Sequence, residues 1–540
     1  MPRDHNKSRS RRAILAIRNL IMLVLVAAAS LIWGNGRGAD SDRAIPTVRF
    51  PRVHHVPRAP HFNNFDPRPI LTAGDVQSVV QRAAESLDST AMVIAVTDRQ
   101  GDVLALYRKP GAPPTAVGNF SMMVDTNELA VALARTASFF SNNQAPLSTR
   151  TVRFISGIHF PPGIPFTPNA ALYGIENTNR GCPVNADFIP GQEVPPARTI
   201  DRTRPGLGII TGKADLNDSD SNAVNPGGVP LFKQGQLVGG VGVAGVSPNL
   251  VEYAAFSGAA RAGFEPSPAP PEVVIIDGLA LPFVDQKAQP AGTGPGAFDA
   301  ANFLIPPRGS PKPAPEGDLV APKAGPLGGL TAEEVRHIID AAVATADQTR
   351  GVIRLPLGSR ARMAIAVADL DGTILALHRM PDATIFSIDV AVAKSRNVIY
   401  FSSAQRRPED LPGVPMGTAV NNRTISFGAQ PLFPPGINFS QPGPFFDLYK
   451  WDTANPCTQG FQAPNSNQSG IVFFPGSLPL YRNAVLVGGL GVSGDGVEQD
   501  DFVTAGAAQG LDAPESIRAD QIIIRGVRLP YLKFPRNPTQ

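Results

Sequence analysis

The stretch "MAIAVADLDGTILALHRMPDATIFSIDVAVAKS", residues 363–395, has a looser copy, "MVIAVTDRQGDVLALYRKPGAPP", that starts at Met92. A pattern repeated at long range points to a duplicated domain, and the flanking segments repeat in the same order. "LTAGDVQSVVQRAAESL" from Leu71 matches "LTAEEVRHIIDAAVATA" from Leu330. Both predict amphipathic helices, N-capped by Thr72 and Thr331, with Val76, Val79, Val80 and Ala83 or Val335, Ile338, Ile339 and Ala342 on one face. Next comes an apolar strand, a turn with Gly101 or Gly372, and a second strand, which together read as a hairpin. A second helix follows, with Thr126 or Ser387 as its expected cap and Glu128 or Asp389 in its first turn. "TVRFISGIHFPPGI" then matches "TISFGAQPLFPPGI", and "PGGVPLFKQGQLVGGVGVAG" matches "PGSLPLYRNAVLVGGLGVSG". The latter pair reads as a Gly-rich hairpin, where glycine permits close approach of backbone or ligand. A third helix and a last strand, "EVVIIDGLALPFV" or "QIIIRGVRLPYL", finish each copy. The order implies an α+β unit, an antiparallel sheet packed with helices, present twice.

Composition places the boundaries. Of 540 residues, 43% are hydrophobic and 17% charged, so each copy can bury a core. The 55 prolines and 52 glycines concentrate partly between the copies. Residues 40–69 read as a Pro-rich tether, 70–285 as lobe 1, 286–329 as a Pro/Gly-rich linker and 330–540 as lobe 2. Residues 1–39 carry basic residues and then an uncharged run from Leu20 to Trp33. That pattern fits a signal peptide or a membrane anchor, and either would put the lobes outside the cytoplasm, periplasmic or secreted. Ser10-Arg11-Arg12-Ala13-Ile14-Leu15 resembles a twin-arginine motif. The formal net charge is +3, with much of the basic excess before residue 70, which argues against nucleic acid as a partner.

The 363–395 core and the later "GGLGVSG" hairpin resemble the GlcG/HbpS-like haem-binding family. The resemblance covers both lobes and is closer in the second, which has Ser387-Ile388-Asp389, Lys394 and "GVSGDGVEQDD" from Gly491. In lobe 1, Leu133 stands in place of Lys394. The resemblance implies profilin-like lobes arranged as a fused pseudo-dimer, homo-oligomers, and haem as the cofactor or ligand.

Seven histidines are available, and His378 and His337 lie in the better-conforming lobe. Tyr107 is the counterpart of His378. His and Tyr can both hold haem iron. Arg379, Lys394 and Arg396 lie in the motif region and offer cations to propionates. His5, His54, His55 and His61 fall in the leader and tether. Cys182 and Cys457 end matching insertions, "LYGIENTNRGC" and "LYKWDTANPC", and an exported chain is expected to pair them. Glu498, Asp500 and Asp501 read as solvated carboxylates at a helix start, with iron binding as the sharper alternative. Nucleophile elbow, Walker loop, HExxH and dinucleotide fingerprint are all missing from the sequence. Three functions remain open: an exported tetrapyrrole-binding protein, a cofactor-free interaction module, and an enzyme acting on a small organic acid or on haem.

Overall fold

A computed structural model describes residues 68–167, 169–184, 197–212, 224–266, 274–276 and 279–539. The leader, most of the tether and the four histidines before residue 62 lie outside them. Among the described residues, no helix is long and apolar enough to cross a membrane.

Lobe 1 runs through α1 (Ala73–Glu85), β1 (Val93–Asp98), β2 (Val103–Arg108), the small hairpin β3 (Thr115–Val117) and β4 (Met123–Asp125), α2 (Thr126–Phe140) and α3 (Thr149–Ser156). It continues with β5 (Gly228–Lys233), β6 (Gln236–Ala244), α4 (Pro248–Arg261) and a second small hairpin, β7 (Val274–Ile276) and β8 (Leu279–Leu281). Two short strands follow, β9 (Phe303–Ile305) and β10 (Gly317–Val320). Lobe 2 then repeats the plan with α5 (Ala332–Ala346), β11 (Ala364–Ala368), β12 (Ile374–Arg379), α6 (Phe386–Ser402), α7 (Asn422–Gly428) and α8 (Phe446–Ala454). It closes with β13 (Ser477–Arg482), β14 (Val485–Ser493), α9 (Val497–Ala507) and the hairpin β15 (Ile523–Ile524) and β16 (Val527–Arg528).

Each lobe is an antiparallel five-stranded sheet covered by helices. The orders are β5-β6-β1-β2-β9 and β10-β12-β11-β14-β13. Capping boxes start α1 and α5 at Thr72 and Thr331, where each hydroxyl accepts from the backbone and an acidic side chain answers. The apolar stripes of both helices are buried, as their spacing predicts. The hairpin glycines let a helix lie directly on the sheet. A Cβ at Gly242 would stand 2.0 Å from Ala130 O of α2, and one at Gly491 would stand 2.1 Å from Ala391 O of α6.

Several local expectations change. The segments "TVRFIS" and "TISFG" are the short helices α3 and α7. The cap of α2 is Asp125, whose carboxylate accepts from Asn127 N and Glu128 N, while the Thr126 hydroxyl donates to Pro113 O. Helix α6 has no side-chain cap. The final strands of each copy form separate hairpins, β7–β8 and β15–β16, rather than joining the main sheets. The fifth strand of each sheet comes from residues 286–329: β9 pairs with β2, and β10 with β12.

The lobes pack as a pseudo-dimer. Equivalent residues of the two insertions meet in pairs. Tyr173 stacks on Tyr449 at 5.0 Å, Phe166 lies 6.3 Å from Phe439, and Cys182 is disulfide-bonded to Cys457 with Cα atoms 5.3 Å apart. Equivalent positions meet in this way only around a two-fold axis. Phe140 at the end of α2 stacks on Phe386 at the start of α6 at 4.1 Å, and Ile385 N donates to Phe139 O. One apolar core runs through both residues and on to Ile388 and Ala391. Asp382 fastens the polar side of this contact. It receives Arg99 and Arg354, each at 2.7 Å, and Asn143 N. Burial pushes its carboxyl up, but Arg99 and Arg354 override that and hold it below the usual carboxylate range.

Candidate functional site

The six residues singled out as ligand contacts are dispersed. His378, on β12, is buried, and its Nδ1 lies 2.7 Å from Asp318 of β10. Burial acts to raise the Asp318 carboxyl, yet His378 and Arg336 hold it well below the usual range. His337 is exposed on the outer face of α5. Tyr107 is packed in the lobe 1 core against Phe298 and Phe303, and its hydroxyl accepts from Asp299 N. Arg379 is fully buried and donates to Ala383 O and Pro315 O. Arg396 donates to Gly372 O, Pro183 O and Val184 O, which ties the lobe 1 insertion to α6. Its counterpart Arg135 does the same work on Gly101 O and Arg198 O. Arg396 and Arg379 both spend their donors on backbone carbonyls, so neither is free to hold a ligand.

The candidate site lies elsewhere, in a cavity of about 1140 Å³ between the lobe 1 insertion and lobe 2. Its apolar walls include Phe160, Tyr173, Ile353, Phe386, Phe427 and Phe474. Arg350, Arg423, Lys533 and Arg536 supply positive charge around it. Lys533 pairs with Glu498, and Arg350 donates to Arg536 O and Asn537 O. None of His378, His337, Tyr107, Lys394, Arg396 or Arg379 lines it. Among iron-ligating side chains, its wall holds Tyr173 but no His, Cys or Met. The Tyr173 hydroxyl donates to Ala429 O, and burial pushes it well above the usual tyrosine range, so the tyrosinate form is disfavoured.

One side of the cavity is ionic. Lys394 of α6 is buried; its ammonium donates to Val492 O at 2.8 Å and to Asp500 Oδ2 at 3.0 Å, and lies over the Phe474 ring at 4.9 Å. Asp500, in the first turn of α9, and Asp501 next to it are buried, not solvated as expected. Burial pushes the Asp500 carboxyl up to about 7, although Lys394 pulls it down. Burial likewise lowers the Lys394 ammonium. Arg423 Nε of α7 donates to Asp501 Oδ2 at 2.5 Å. Asp500 Oδ1 and Arg423 Nη2, both on residues that line the cavity, have no hydrogen-bond partner among the described residues. The repeat alignment carries the signal for this pair. Where lobe 2 has Lys394 and Asp500, lobe 1 has Leu133 and Val251. Among the described residues, no three His, Cys, Asp or Glu side chains converge as a metal site.

This fold, met twice in one chain, agrees with a family model described as haem degrading protein HbpS-like, which matches residues 71–260 and 330–509. The chain belongs to the HbpS-like family. Two solved structures are similar to part of this chain. A Klebsiella pneumoniae protein, ORFY, is 19% identical over 34% of this chain and 90% of its own, with a TM-score of 0.22. The PduOC chain of a PduOC–haem complex is 23% identical over 34% of this chain and 96% of its own, also with a TM-score of 0.22. No curated protein matches the HbpS-like chain.

Proposed function

We propose that the protein binds haem or a related tetrapyrrole, reversibly and without a covalent link, in the cavity between its lobes. The observation that carries this reading is the cavity itself: aromatic walls from both lobes and a rim of cations, in a chain of the HbpS-like family. A macrocycle needs apolar faces, and propionates need cations. Those two requirements fit the residues present. An axial ligand fits poorly, because Tyr173 is committed to Ala429 O and resists ionisation. Recognition therefore rests on the ring and its carboxylates, and metal-free protoporphyrin should bind within a few-fold of haemin. The Cys182–Cys457 bridge supports an oxidising compartment, in keeping with export.

Titration of the full chain with haemin should give a saturable Soret shift at micromolar protein. Phe427→Ala and Arg423→Gln should weaken it, while His378→Ala and His337→Ala leave it unchanged. A response to the histidine variants alone would move the site to the sheet of lobe 2 or its outer helix. No saturable change at all would favour the cofactor-free interaction module.

A further inference from the structure

The two lobes form an internal control for the charges beside the cavity. Gly227 in lobe 1 and Gly476 in lobe 2 occupy the same place with nearly the same backbone, φ 113° and 116°. A Cβ at Gly227 would meet Val251, and one at Gly476 would meet Asp500 Cβ and Lys394 Nζ. The same fold is thus built in one lobe around Leu133 and Val251, and in the other around a buried ion pair. Replacing a buried ion pair by packed apolar side chains is commonly neutral or stabilising. The fold does not need Lys394 and Asp500, so their presence beside the cavity calls for a role there.

Arg423 shows the same contrast. Its counterpart Arg150 is fully engaged: Nε and Nη2 donate to the two oxygens of Glu252, and Nη1 pairs with Asp285. In lobe 2 the shorter Asp501 replaces Glu252, and Arg423 Nη2 is left without a partner among the described residues. On its cavity-lining residues lobe 2 therefore holds one buried donor and one buried carboxylate oxygen, Arg423 Nη2 and Asp500 Oδ1, without a partner among the described residues. We propose that this is a carboxyl-binding site, in which an acid group of the ligand shares one proton with Asp500 while Arg423 Nη2 takes its other oxygen. The proton comes from solvent and sits between two carboxylate oxygens, since two ionised carboxylates in contact repel. Lys394 from α6 keeps the second Asp500 oxygen occupied, which leaves Oδ1 for the ligand. The other charged groups around Asp500 are Asp495, Asp501 and Arg423, with Lys533 and Glu498 farther out on the cavity wall. The ligand class is an apolar-bodied organic acid. Only the choice of first probe rests on the tetrapyrrole reading.

The test compares haemin with its dimethyl ester, from pH 6 to 9. Haemin affinity should fall about tenfold per pH unit once the shared proton is lost, the slope of one linked proton. The ester should bind more weakly and without that slope. Asp500→Asn, which donates a hydrogen bond without titrating, should keep haemin binding and flatten the profile. The double variant Lys394→Leu/Asp500→Val copies lobe 1. It should fold with an unchanged urea midpoint or a higher one and lose the pH dependence. An ester that binds as tightly as haemin with the same profile would overturn the proposal, as would a wild-type slope in Asp500→Asn. If haemin gives no saturable change, the tetrapyrrole reading fails. The site is then probed with 2-naphthoate by calorimetry in two buffers of different ionisation enthalpy. Uptake of close to one proton, absent in Asp500→Asn, would uphold the proposal; no binding, or binding without uptake, would overturn it.

Discussion

Asp500 and Asp382 are both buried carboxylates facing basic side chains, yet they shift in opposite directions. Asp382 has two arginines, which outweigh its burial. Asp500 has one lysine and two acidic neighbours, Asp501 and Asp495, so burial wins and its carboxyl titrates at about 7. The consequences for stability are opposite in sign. Asp382 binds its proton less tightly in the folded state than in the unfolded chain, where the usual value is 3.8. Its contribution is present above that value and is lost as pH falls through the lower folded value. Asp500 binds its proton more tightly when folded, so its contribution is present in acid and is lost as pH rises from about 4 towards 7. Urea midpoints measured from pH 3 to 8 should show Asp500→Asn flattening the decline between pH 4 and 7. Asp382→Asn should lower stability at neutral pH and flatten the acid limb. A decline between pH 4 and 7 as steep in Asp500→Asn as in the wild type would mean that another group is responsible.

At the level of elements, the pattern of helices and hairpins was legible where a period runs long enough. Thr72 and Thr331 announce helices whose apolar stripe recurs over three turns, and the paired strands are apolar runs with a glycine turn between them. The edge strands β9 and β10 were not legible: they are three and four residues long, inside Pro-rich sequence. Nothing local marks them, because their pairing partners, Tyr107 and His378, lie far away in the chain. Helices α3 and α7 were hidden for a different reason. Their Thr, Val, Ile and Phe residues favour strands, and the caps at Ser148 and Asn421 decide otherwise. The site was half visible, since the Lys394–Asp500 and Leu133–Val251 exchange stands in the repeat alignment, whereas its burial came only from tertiary packing. The α2–α6 contact gives a prediction at this scale. Phe140 and Phe386 are both almost fully buried and stacked across the lobes, so Phe140→Ala should cost about 3–5 kcal/mol. A loss under about 1 kcal/mol in chemical denaturation would show that the lobes do not share a core.

For the whole molecule, the question is what holds the two insertions against each other at the pseudo-two-fold axis. Tyr173 and Tyr449 supply stacked area, Arg396 and Arg180 supply hydrogen bonds to backbone carbonyls across the lobes, and Cys182–Cys457 supplies the one covalent link among the described residues. The bridge spans 275 residues of sequence. In the chain-entropy model a loop of that length is worth about 5–6 kcal/mol through its effect on the unfolded chain. The folded-state effect should be more local. The sheets are built within each lobe, and the α2–α6 core joins the lobes without the bridge. The segments next to the cysteines contribute no strand to either sheet, and one of them carries the Asn169–Tyr173 wall of the cavity. The double variant Cys182→Ser/Cys457→Ser should therefore unfold at a lower urea concentration, with both sheets still exchanging amide hydrogens slowly under native conditions. Exchange should quicken in residues 169–184 and 446–461, and the cavity should lose ligand affinity through that wall. Equal acceleration in β1 and β11 would mean that the bridge holds the lobes together as a whole, and no acceleration anywhere would mean that packing alone fixes the insertions.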